Sequence, residues 1–272
     1  MERKDFRIEI CANSVASCIA ALEGGADRVE LCAGIPEGGT TPSAGMIHCA
    51  REAVDIGLNV IIRPRGGDFL YSPGEIKEML YDIGTAKEYG ADGLVFGCLT
   101  PEGDVDMRSM SLLMEAAGDI PVTFHRAFDH ARDPFDALEK IVSLGCRRIL
   151  TSGQKATADL GRGLLSDLVR KAGDRIIIMP GCGVNSSNIL RISASTGARE
   201  FHFSARKTLE SRMVYRNPSA TMGNGSEDYS TSVTSADAVR DTIAALLNNH
   251  NSWKKLSFQA ACREGVSPPR LE

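Results

Sequence analysis

Short apolar runs rich in β-branched and aromatic residues alternate along this chain with longer stretches of helical composition. The runs are Phe6–Cys11, Arg28–Cys32, Asn59–Arg63, Gly93–Gly97, Pro121–His125, Arg148–Thr151, Arg175–Met179 and Glu200–Ser204. Segments such as Pro73–Tyr89, Pro134–Leu144 and Leu160–Ala172 lie between them, and 236 to about 248 follows the last. Strands that alternate with helices need crossover connections, and crossovers build parallel sheets.

A weak repeat sharpens the count. Gly25-Ala26-Asp27, Gly90-Ala91-Asp92, Gly145-Cys146-Arg147 and Gly197-Ala198-Arg199 precede the second, fourth, sixth and eighth runs. Each glycine stands where a helix should end in a left-handed residue, which favours a side chain without Cβ. Gly57, Gly118 and Gly173 hold the same place before the third, fifth and seventh runs. Eight regular units predict a single (β/α)8 TIM barrel occupying residues 1–250. The rival, an open doubly wound sheet, would carry GxGxxG after its first strand, whereas Gly181-Cys182-Gly183 leads to Ser186. The polar stretch 207–235 is expected as a long loop leaving the C-terminal rim. Residues 251–272 form a tail outside the eight units, and Leu271-Glu272 reads as a vector scar.

Composition narrows the function. The chain has 272 residues, with 31 Lys and Arg against 35 Asp and Glu, so a basic nucleic-acid footprint is absent. No apolar run is long enough for a membrane helix, and the Met-Glu-Arg-Lys-Asp start lacks a secretory signal. Eight cysteines without a CxxC pair suggest reduced thiols and a cytoplasmic location.

The first two strands both read Glu-Ile/Leu-Cys: Glu9-Ile10-Cys11 and Glu30-Leu31-Cys32. Residues two apart share a face of a strand. Ile10 and Leu31 should therefore point to the helices, and the glutamates and thiols into the barrel. Similar register would bring the two glutamates together and the two thiols together. Each cysteine alone reads as a small buried hydrophobe. Two interior carboxylates do not, because Glu is rarely buried without a partner. Arg63, Arg65, His125, Asp129 and His202 reach the ends of the third, fifth and eighth runs, so a polar pocket is expected on that rim. Gly181, Gly183, Ser204 and Arg206 occupy the turns after the seventh and eighth runs, where barrels commonly hold an anion.

At these residues the chain resembles the CutC copper-homeostasis family. The resemblance runs through Gly24–Cys32, Glu37–Ser43, Ile62–Phe69, Ala91–Gly97, Val122–Asp129, Leu150–Gly153, Met179–Gly181 and Glu200–Arg206. It implies a TIM barrel whose copper thiols correspond to Cys11 and Cys32, and barrels that self-associate into homo-oligomers. Soft thiolates select Cu(I). Cys182 departs from a turn usually built of glycines. The residues also support a rival, an isomerase, lyase or hydrolase on an anionic or phosphorylated metabolite. There Glu9 or Glu30 would be the general base, His125 its proton partner or electrophile, and Arg63 and Arg65 the substrate clamps. A third reading is a non-catalytic scaffold presenting the loop 207–235.

Overall fold

The computed structural model describes residues 2–217, 219 and 228–247. Its eight-stranded parallel sheet comprises β1 (Arg7–Ala12), β2 (Arg28–Leu31), β3 (Gly57–Ile61), β4 (Gly93–Phe96), β5 (Val122–Phe124), β6 (Arg148–Thr151), β7 (Ile177–Pro180) and β8 (Glu200–Phe203). The crossovers carry α1 (Val15–Glu23), α2 (Ala44–Ala53), α3 (Pro73–Glu88), α4 (Met107–Ala117), α5 (Pro134–Ser143), α6 (Arg162–Ala172) and α7 (Ile189–Thr196), and a last helix covers 236–247. Hydrogen-bonded order runs β7-β6-β5-β4-β3-β2-β1-β8, and both ends of that order reach Arg28, through Met179 on β7 and Glu200 on β8. The fold is the expected TIM barrel. Among the described residues no helix is long and apolar enough to cross a membrane.

Local signals act as the sequence predicts. Gly25, Gly90, Gly145 and Gly197 all have φ between 76° and 87°. The acids that follow two of them have a further part: Asp27 accepts the Ile8 N–H at 2.7 Å, and Asp92 accepts the Leu58 N–H at 2.8 Å. The repeat thus ties the end of a helix to the preceding strand. Gly57 differs from Gly118 and Gly173, because it is the first residue of β3 and owes its place to packing. A Cβ there would stand 2.9 Å from that of Arg28.

Outward-facing Ile8, Ile10, Leu31, Leu58, Phe96, Phe124 and Phe201 are buried against the helices. Burial of such side chains contributes about 1.5–3 kcal/mol each. The predicted strands lose a residue or two at several ends. Arg63, His125 and Ser204 consequently sit beyond β3, β5 and β8 on the rim. The stretch 207–235 corrects the expected loop: β9 (Arg206–Glu210) and β10 (Ser230–Thr234) pair antiparallel. Asn13 donates to the Ser232 carbonyl, and the Thr234 N–H donates to Ser17, fastening β10 over the start of α1. The tail at 251–272 lies outside the described residues.

Inside the barrel the chemistry is ionic. Glu9 is fully buried and accepts Arg28 Nε at 2.6 Å, Asn59 Nδ2 at 2.8 Å and His202 Nδ1 at 2.7 Å. Arg28 also meets Glu200 at 2.5 Å, and Arg148 meets the same oxygen at 2.7 Å. Desolvation raises the cost of the Glu9 charge, but Arg28 and His202 outweigh it and hold the carboxyl well below its ordinary range. Removing one member of such a set leaves a buried charge without a partner. Arg28→Met is therefore expected to lose about 3–5 kcal/mol of stability by urea unfolding. Arg175→Met, which breaks an exposed pair with Glu139, should lose under about 1 kcal/mol.

Candidate metal and ligand site

Parallel pairing of β1 with β2 sets Glu9 opposite Arg28 and Cys11 opposite Glu30. The expected side-by-side glutamates are thus corrected, since the register displaces one from the other by two residues. His202 bridges them instead, with Nδ1 on Glu9 and Nε2 3.6 Å from Glu30. Both thiols face inward, 3.6 Å apart. Cys32 rests among Ile61 and Val95 and points its Sγ at the Ala12 carbonyl, 3.5 Å away. Arg206, at the start of β9, donates to Cys11 Sγ at 3.4 Å. Ligand atoms of Cys11, Glu30 and His202 all lie within 4.8 Å of one another.

These groups polarise one another. The Cys32 hydrogen bond, together with the charges of His202 and Arg206, outweighs burial and brings the Cys11 thiol well below its ordinary value. Cys32, hydrogen-bonded to Cys11 and buried, moves upward. Burial pushes Glu30 up to about 8 despite the opposing charge of His202. The His202 ring pays a desolvation penalty, yet Glu30, Cys11 and Glu9 together hold it well above the usual histidine value. Cys11 is accordingly the nucleophilic, soft donor of the pair.

A cavity of about 290 Å³ opens beside these groups, with Cys11, Glu30 and His202 on one wall. Arg63, Phe69 and His125 line it as well, from the ends of β3 and β5 and the loop after β3. Arg63 is 4% exposed and directs Nη1 to the carbonyls of Glu37 and Gly39, each at 2.7 Å, and Nη2 to that of Gly67 at 2.9 Å. Its guanidinium lies 5.1 Å from the Phe69 ring centre, and that ring meets His125 edge-on at 4.9 Å. The Ala127 N–H donates to His125 Nδ1, so the proton of the neutral ring sits on Nε2. Burial, reinforced by the charge of Arg63, lowers the His125 value to about 3.

Other expected site residues serve the scaffold. Glu9 accepts three hydrogen bonds, and Arg28 and His202 hold it ionised. Arg65 is spent on Glu75, at 2.5 Å, and on carbonyls of its own loop. Asp129 accepts from Thr151 Oγ1 at 2.5 Å, from Arg126, and from the Ser152 and Gln154 N–H groups, which organises the turn after β6. The four anion-loop residues divide. Ser204 and Arg206 line a second cavity of about 330 Å³. Gly181 is demanded by packing, since a Cβ would approach Leu150 to 2.4 Å. The Gly183 carbonyl is occupied by the side chains of Asn185 and Asn188. Arg28 and Asn59 escaped notice in the sequence, although the parity that placed Glu30 inward places Arg28 inward as well.

A (β/α)8 barrel with a thiol, imidazole and carboxylate set at its C-terminal mouth is the class these observations define. The chain belongs to the CutC family, whose model matches residues 6–207. A family protein CutC from Bacteroides thetaiotaomicron is 58% identical over 246 residues, 89% of this chain and 99% of that one. The human copper homeostasis protein cutC homolog is 49% identical over 246 residues, 90% of each chain. A crystal structure of a copper homeostasis protein CutC from Streptococcus agalactiae superposes with a TM-score of 0.71 at 34% identity, covering 73% of this chain and 98% of that one. N-(5'-phosphoribosyl)anthranilate isomerase from Pyrococcus furiosus, at 12% identity and a TM-score of 0.54, covers 89% of this chain and 99% of its own, and shares the fold alone.

His125 gives this site a pH signature. Folded, it stays neutral down to about pH 3, whereas in the unfolded chain it binds a proton near pH 6.5. Between those values the unfolded state holds the extra proton, so stability falls as pH falls below about 6.5. At pH 5.0 the residue should cost about 2 kcal/mol relative to pH 7.5. Urea unfolding at both pH values should show His125→Gln losing that much less than the natural protein. Parallel losses in the two proteins would contradict the assignment.

Proposed function

We propose that this protein handles copper, taking Cu(I) as cargo on Cys11 and Cys32 with His202 beside them. The observation that carries the reading is the 3.6 Å approach of two thiols on adjacent strands inside the barrel mouth. Soft sulfur donors favour Cu(I) over hard divalent ions. The donor set fits in a second respect. A ligating histidine commonly gives its other ring N–H to a carboxylate, which fixes the tautomer and the ring plane, and Glu9 stands in that relation to His202. Arg206 would steady the negative charge on Cys11, and the apolar seat of Cys32 would keep water from one side of the ion. Names borne by the relatives from human and Streptococcus agalactiae support the same reading. Both thiols are free, which suits a reducing cytoplasm.

An enzyme acting on an anionic metabolite is the second reading, and the Glu30 carboxyl favours it. With its value near 8, Glu30 can exchange a proton at neutral pH, as Glu9 cannot. Glu30 would then be the acid–base group and His125 a neutral hydrogen-bond donor to the substrate.

The copper reading is tested by chelator competition with the reduced protein. One equivalent of Cu(I) should bind to the natural protein, and the double variant Cys11→Ser, Cys32→Ser should bind none. His202→Gln should weaken binding by about 10–100-fold while the protein remains folded by circular dichroism. Undiminished binding by the double variant would remove the proposal.

A further inference from the structure

Among the described residues two arginines are buried, and the fold treats them differently. Arg28, 7% exposed, has Glu9 and Glu200 within 2.6 Å. Arg63, 4% exposed, has no carboxylate within salt-bridge distance among the described residues. Three of its five N–H donors go to main-chain carbonyls, the Tyr71 hydroxyl lies close to the guanidinium, and Nε makes no hydrogen bond of good geometry among the described residues. A guanidinium does not deprotonate to escape this situation, so its buried charge calls for a counter-anion.

The same wall holds a second donor without a partner, His125 Nε2. Its neighbour on the rim, Arg126, is already balanced by Asp129 at 2.8 Å. The charged guanidinium of Arg63 and the neutral His125 ring therefore both line a cavity of about 290 Å³, whose lining also holds Glu30 and Glu37. Ile61, Phe69 and Leu150 supply apolar surface in that cavity. One charge, a planar fork of donors and apolar walls match a single carboxylate on a small carbon skeleton.

We propose that the cavity beside the thiols is a binding site for a small organic monocarboxylate, its carboxylate received by Arg63 and the His125 Nε2–H and its carbon body by Ile61, Phe69 and Leu150. The site is independent of copper, although the two share one mouth. A bound acid would lie between the Arg63 wall and the wall formed by Cys11, Glu30 and His202. Its non-carboxylate end would then face the thiol and the titratable carboxyl.

The test uses the full-length reduced protein and five probes: sodium butyrate, sodium benzoate, their two neutral amides, and inorganic phosphate, with sodium chloride as the ionic control. Butyrate or benzoate should raise the melting temperature with saturable dependence on concentration, and the amides and chloride should not. Arg63→Gln should weaken carboxylate binding at least about 30-fold, through loss of a charge-assisted fork. Should that variant not fold, His125→Leu should weaken binding about tenfold. Arg65→Gln, whose charge is spent on Glu75, should bind as the natural protein does. Shifts no larger than those with amide or chloride, tighter binding of phosphate than of either carboxylate, or undiminished binding by both the Arg63 and His125 variants would each overturn the proposal. Chelator competition on the same preparations separates the two sites. Copper binding without carboxylate binding overturns this inference alone, and the reverse overturns the copper reading alone.

Discussion

The barrel is organised around one buried carboxylate. Glu9 receives Arg28, Asn59 and His202 from three other strands, so a single ionised side chain joins β1, β2, β3 and β8 across the interior. An apolar barrel core would pack more cheaply, since burying ions rarely adds net stability. What the ions contribute here is position. The His202 ring is fixed at Nδ1 by Glu9, which leaves Nε2 toward Glu30 and Cys11. The charged base of the barrel thereby determines the orientation of a donor at its mouth.

Above that base the site is divided into two walls of opposite character. One carries a thiol lowered in its proton affinity, a second thiol held in an apolar seat, and an acid near neutrality. The other carries a permanently charged guanidinium and a histidine too buried to protonate. The hairpin β9–β10 touches this site through Arg206, which reaches from its first residue to Cys11. The thiol and imidazole donors are thus separate from the guanidinium and the neutral histidine, although all of them line one cavity.

Much of this was legible in the chain. Side-chain parity placed Glu9, Cys11, Glu30 and Cys32 inside, and the Gly-Ala-Asp punctuation gave the strand count. Parity does not give register, however, and the two-residue stagger of β1 on β2 determines that Cys11, not Glu9, sits opposite Glu30. Nor does a motif reveal how a side chain is spent. Arg63 and Arg65 stand two positions apart in one run, yet the first is buried behind the Phe69 ring and the second is consumed by Glu75 and its own loop. Asp129 likewise stands out in the sequence as a candidate site residue, and its partners in the turn after β6 become visible only in the fold. Long-range contacts of the kind Arg206 makes with Cys11 leave no local trace, and a polar stretch without alternation hid the strands of the hairpin.

Sequence separation gives one of these contacts a temporal meaning. Cys11 and Glu30 belong to the first strands to leave a ribosome, whereas His202 and Arg206 come from the last strand of the barrel and the hairpin after it. Closure of the ring is thus the event that completes the donor set, and an unfinished nascent barrel presents its thiols without the histidine and guanidinium that later accompany them.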